Sequence, residues 1–148
     1  MKHTFATVAA VAGLVLAGTV ATAPSASAQK IPVGCASPQL INSAPIMYGV
    51  GSQTWRIGTI TQYWGWCNSA KRNWAHVHLY QGNEAFGLQI AIQTRDWVMH
   101  GLKTVNDGRD FTSRPTDTLS VDTRARVSGN FWNGGLATLT PVQVTPWT

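Results

Sequence analysis

The sequence predicts an all-β fold, an antiparallel meander forming a small barrel or a sandwich with one disulfide, and three observations predict it. Apolar and polar residues alternate with period two through much of the chain after residue 52, the pattern of strands with one wet face. Turn signals separate these runs at hairpin spacing: Gln81-Gly82-Asn83-Glu84, Asn106-Asp107-Gly108 and Asn133-Gly134. No ten-residue segment beyond residue 28 carries the 3.6-residue period of a helix.

Taken in order, residues 1–28 read as a cleaved signal peptide. Lys2 and His3 follow Met1, an apolar stretch runs from Phe5 to Val20, and Ala26-Ser27-Ala28 is a small-x-small cleavage triplet. The cut falls before Gln29. The apolar stretch is shorter than the roughly 20 residues a spanning helix needs. The first cysteine is Cys35, so no lipid-anchor cysteine follows it closely. No later stretch is long and apolar enough to span a bilayer as a helix. A secreted location and no membrane insertion after cleavage are expected.

Residues 29–148 then form one β domain of about 120 residues, enough for a core of its own. Residues 29–52 read as an irregular lead-in with one short strand near Ile46-Met47-Tyr48 and a turn at Gly49–Ser52. Gln53–Trp64 is a strand by strict alternation, and Gly65–Arg72 a loop holding Cys67. In Asn73–Tyr80, Ala75, Val77 and Leu79 share one face, with Trp74, His76, His78 and Tyr80 on the other. In Phe86–Arg95, Phe86, Leu88, Ile90 and Ile92 share a face. Trp97-Val98-Met99 looks like a strand that Gly101 interrupts, and Arg109–Asp117 reads as a loop. In Thr118–Phe131, Leu119, Val121, Ala125, Val127 and Phe131 face inward, with Asp122, Arg124 and Arg126 outward. Leu136–Val144 returns as an edge or bulged strand, because Pro141 cannot donate to a central ladder.

Removing Lys2 from the eleven basic residues leaves ten against six acidic ones, a net charge of +4. That excess permits contact with an anionic polymer without requiring one. Nucleic-acid binding needs denser charge or a recognisable motif, and nucleic acid is not an expected partner. Arg56, Arg95 and the Arg124-x-Arg126 pair could form a basic stripe, and solvation of a wet sheet face explains the same residues. Two cysteines in an exported chain pair with each other, giving a Cys35–Cys67 disulfide.

His76 and His78 lie two apart on a strand and so emerge on one face. With His100 or an Asp as third ligand they could hold a metal; the plainer reading is two surface histidines. No G-x-S-x-G is present, and the few carboxylates sit in turns or on outward faces, a poor supply for glycoside chemistry. No cofactor is expected.

Seven tryptophans are more than a core of this size needs. Trp64 and Trp66 flank Gly65 just before Cys67, Trp74 follows, and Lys71 and Arg72 lie between. Indole faces stack on sugar rings, and neighbouring cations add contacts to an anionic ligand. The plainer reading makes Trp55, Trp97 and Trp132 core or barrel-end plugs and packs Trp64 and Trp66 on the disulfide.

Ile57-Gly58-Thr59-Ile60, Tyr63, Cys67 and Asn73-Trp74-Ala75 resemble part of a strand–Tyr–Cys–strand pattern in the YjfA-like type of small secreted bacterial proteins, found in actinomycetes and bacilli and without an assigned function. The match covers about 20 residues, and His76 stands where that family has Arg. The resemblance implies export and a disulfide and no activity.

The functional expectation is a secreted, non-catalytic binding protein. Its partner would be a cell-envelope glycan or an extracellular protein, for instance a protease inhibited through residues 65–72 or 106–117. The expected contact residues are Trp64, Trp66, Lys71, Arg72 and Trp74. The alternative is a small metal-assisted hydrolase built on His76 and His78, with His100 as a further ligand.

Overall fold

The computed structural model describes residues 31–148, so the expected signal peptide, residues 1–28, lies outside the described residues. Eight strands form two four-stranded antiparallel sheets and, among the described residues, no helix. The strands are β1 (Cys35–Val50), β2 (Gln53–Cys67), β3 (Ala70–Leu79), β4 (Asn83–Thr94), β5 (Met99–Val105), β6 (Asp110–Thr112), β7 (Thr123–Asn133) and β8 (Leu136–Val144). One sheet has the order β1-β2-β3-β6 and the other β5-β4-β7-β8. Of the two expected architectures it is the sandwich; the sheets do not close into a barrel.

Local sequence explains the joints. Asn68 and Ser69, both in the left-handed region, make the two-residue turn between β2 and β3. Gly134 and Gly135 do the same between β7 and β8. Two positive φ values in a row give the turn whose twist matches the flanking strands. The chain changes sheet after β3, returns for β6, and crosses again for β7.

The core lies between the sheets. Ile46, Ile57, Ile60, Val77 and Leu79 of the first sheet meet Leu88, Ile90, Ile92, Val127 and Phe131 of the second. Each large side chain fully buried there contributes about 1.5–3 kcal/mol. Tyr48 adds an edge-to-face contact with Phe131 at 5.4 Å between centroids.

Five expectations are corrected. The irregular lead-in of 29–52 is, from Cys35 to Val50, a long bulged strand paired along β2. Alternation is blurred there because two of its three register shifts carry a one-residue bulge in β1. The loop of 65–72 is a continuation of β2 and β3 around a two-residue turn. Part of the loop of 109–117 is β6, paired to β3 through His76, Val77 and His78. Finally, strand β7 starts only at Thr123, so Leu119 and Val121 are exposed rather than inward. Phe86 also faces out. A register shift around Gly87, which has φ +76°, puts Ala85 and Leu88 in the core and leaves Phe86 against Trp132 with the rings tilted at 51°.

A candidate binding surface at the aromatic end

The strand directions bring four features to one end of the sandwich: the β2–β3 turn, the β4–β5 turn, the segment 113–122 and the C-terminal residues 145–148. Trp64, Trp66, Trp74, Trp97 and Trp147 all belong to this end. Trp55 and Trp132 belong to the other, beside the β1–β2 and β7–β8 turns. The Cys35–Cys67 disulfide closes the β1–β2 edge here, between residues directly opposite in the register.

A buried polar network holds the end together. Asn73, fully buried, accepts hydrogen bonds at Oδ1 from Thr116 Oγ1 (2.6 Å) and Thr118 Oγ1 (2.8 Å). Its backbone pairs with Thr116 in both directions. Gln62 Nε2 donates to Thr123 Oγ1 across the sheets at 2.7 Å. Hydrogen bonds made by buried amides in this way fix geometry, because an unmade bond there costs about 1–3 kcal/mol. The segment 113–122 is thereby pinned to the first sheet.

Of the five expected contact residues, the structure brings three to one surface. Trp64 and Trp66 share a face of β2, and Lys71 stands opposite Trp66. The Lys71 ammonium lies over both indoles, at 5.2 and 5.5 Å from their ring centroids. Trp66 is 46% exposed. Arg72 is on the other face of the strand pair and bonds Asp117 at 2.9 Å. Trp74 is fully buried: it stacks on Tyr63 and covers the backbone of Gly65, where a Cβ would sit 2.8 Å from the indole edge. Period-two reading placed it on the outer face correctly; the neighbours that cover it are tertiary.

The histidines do not assemble as a triad. His78 Nδ1 lies 2.7 Å from Asp110 Oδ1, and His76 Nε2 lies 3.5 Å from the same oxygen. His100 is on the other sheet, where its Nε2 lies 3.3 Å from Thr94 Oγ1. Among the described residues no group of three His, Cys, Asp or Glu side chains is arranged to hold a metal ion.

Sequence reasoning missed the second half of the surface. Trp97, expected in a strand or the core, occupies the β4–β5 turn at φ +68° and is 69% exposed. A bulky residue in the left-handed region is an outlier costing about 1–2 kcal/mol. The Arg124 guanidinium lies 5.3 Å from the Trp97 ring centroid and 4.3 Å from that of Trp147, and Arg95 lies 5.1 Å from Trp147. The series Arg95–Trp147–Arg124–Trp97 is a ladder of alternating cations and indoles. Each exposed step is worth about 0.5–1 kcal/mol. Only the outward Arg124-x-Arg126 pair signalled it in the sequence; Trp147 arrives from the C-terminal tail.

Beside the ladder opens a cleft of about 570 Å3, whose lining includes Thr94, Asp96, His100, Asp117, Thr118 and Asp122. Asp122 accepts from Arg95 Nε at 2.6 Å. The hydroxyl of Thr94 donates to Asp96 and, as the largest cause, holds that carboxyl below its ordinary value of 3.8. The Arg124 guanidinium is shifted down, first by partial burial and then by the charge of Arg126. Exposed indoles, hydroxyls, carboxylates and guanidinium groups around a shallow cleft can stack on ring faces and exchange hydrogen bonds with a hydroxylated or charged ligand. No family model, curated protein or solved structure matches this chain.

Proposed function

We propose that this is a secreted, non-catalytic binding protein that takes a cell-envelope glycan at the aromatic end of its sandwich. The observation that carries the reading is Trp97. An indole 69% exposed, on a backbone conformation that disfavours it, is hard to account for by packing. Strain of this kind is characteristic of ligand-contact positions. Trp66 and Trp64, with Lys71 over them, supply a second aromatic face at the same end. The cleft beside Arg95 and Asp122 supplies the hydroxyl and carboxylate groups that a sugar's hydroxyls need.

An extracellular protein remains the competing partner class. The inhibitory-loop version is less favoured, because residues 65–72 are strand and turn and residues 110–112 are paired into a sheet. The metal-assisted hydrolase is not supported by the placement of His100.

Retention on insoluble peptidoglycan or chitin tests the proposal. The wild-type protein should be retained, and Trp66→Ala and Trp97→Ala should each weaken retention severalfold. A wild-type protein that passes through both matrices would remove the glycan reading.

A further inference from the structure

We infer that the ladder formed by Arg95, Trp147, Arg124 and Trp97, continued by Arg126, is a subsite for anionic groups, so that the ligand is an acidic polysaccharide bearing carboxylate or phosphate substituents. This rests on the glycan reading and names the chemistry of the ligand.

Arg124 and Arg126 sit two apart on β7 and therefore share a face. Among the described residues neither is ion-paired to a carboxylate. Arg124 Nε donates to Gln93 Oε1 at 2.9 Å, a neutral partner, and Arg95 Nε donates to Asp122. No hydrogen bond among the described residues engages the Nη groups of Arg124 or Arg95. The faces of both guanidinium planes are held by Trp147, at 4.3 and 5.1 Å.

Two consequences follow. With Nε and the flat face fixed, each planar fork is oriented before a ligand arrives. A guanidinium so held can bind a carboxylate or a phosphate through two parallel bonds at a reduced ordering cost. Arg124 and Arg126 also carry like charges on one face of β7, and an anion between them would relieve that repulsion; the Arg124 guanidinium is shifted down first by partial burial and only then by the Arg126 charge. Gln93, Asp122 and Met99 face these guanidinium groups from neighbouring strands and loops, and only Asp122 carries a charge, which Arg95 already uses. The exposed indole of Trp97 beside an anion site suits a sugar ring flanked by charged substituents.

The test measures affinity of the intact exported protein for soluble polygalacturonate, a glycerol-phosphate polymer and a neutral galactan, with vesicles of phosphatidylglycerol and phosphatidylcholine as a fourth probe. At least one charged polymer should bind ten times or more tightly than the galactan, and which one does so separates carboxylate from phosphate as the source. Arg124→Gln should lower that affinity about tenfold, and Arg124→Lys severalfold, since lysine keeps the charge and loses the fork. If Arg124→Gln does not fold, Arg126→Gln serves in its place with the same expected loss. Arg56→Gln, at the opposite end, should change affinity less than twofold. Equal loss from Arg56→Gln would reduce the effect to net charge and overturn the subsite. Tighter binding to vesicles than to either charged polymer would overturn it as well. Equal affinity for the neutral galactan, still dependent on Trp97, would overturn the subsite and leave the glycan reading standing. Failure to bind any polysaccharide would bring down both.

Discussion

Gln62 of one sheet donates through Nε2 to Thr123 Oγ1 of the other at 2.7 Å, in the buried layer beneath the aromatic end. Thr123 opens β7, the strand that carries Arg124 and Arg126, and it is also held by the chain terminus, since Thr148 exchanges backbone hydrogen bonds with it. Asn73, next to Gln62's strand, places the segment 113–122 in the same layer. The surface groups that would meet a ligand therefore rest on a polar layer, not on the apolar core.

Removing one member of that layer should be costly. Asn73→Ala strips Thr116 and Thr118 of their shared acceptor in a site without exposure. A loss of about 2–3 kcal/mol is expected, with faster amide exchange across residues 113–122. Urea unfolding combined with hydrogen exchange checks both parts.

The disulfide should matter for stability and little for the arrangement of the distant core. Its closed loop spans a sequence separation of 32, for which the chain-entropy model gives about 3–4 kcal/mol. A Cys35→Ser, Cys67→Ser double variant should unfold at correspondingly lower urea and still show the same far-ultraviolet strand signature.

Trp97 separates stability from binding. Trp97→Gly relieves a left-handed residue worth about 1–2 kcal/mol and forfeits a contact to Arg124 worth about 0.5–1 kcal/mol. Thermal unfolding should shift little or slightly upward while glycan retention falls. A drop in stability above about 1 kcal/mol would assign Trp97 to the scaffold instead.

Gly129 tests the close approach of the two central strands of the second sheet. It has φ +117°, and a Cβ there would press into the carbonyl oxygen of Gly87. Gly129→Ala should cost about 3 kcal/mol or more, combining backbone strain with a clash that neither strand can yield to. Gly82→Ala, at φ +88° with nothing nearby, should cost about 1–2 kcal/mol from the left-handed backbone alone. Chemical denaturation of the two variants gives the comparison.

Asp96 supplies a pH signature. Its folded pKa is depressed, chiefly by the Thr94 hydroxyl, so its contribution to stability is present above the unfolded value and is lost as pH falls through the folded one. Thr94→Ala should raise the Asp96 pKa toward 3.8. A carbon-detected carboxyl titration resolves the shift, and an unmoved value would show that another group holds this carboxylate.

Short-range periodicity alone determined that this chain is all-β, because alternation in Asn73–Tyr80 leaves one face of the run apolar and a helix would scatter it. The cysteine count determined the disulfide partners, since two cysteines allow one pairing, and the local sequence drew attention to Trp64, Trp66 and Lys71 as neighbours. Periodicity did not show β1, whose bulges break the alternation, or the outward turn of Phe86, which depends on a register shift at Gly87. Whether an indole is a surface or a wall was decided only by the tertiary structure. Trp74 is covered and Trp97 is bare because exposure depends on which distant segments arrive over a side chain. Trp147 and Arg124 are 23 residues apart in sequence and 4.3 Å apart, ring centroid to guanidinium, in the folded end.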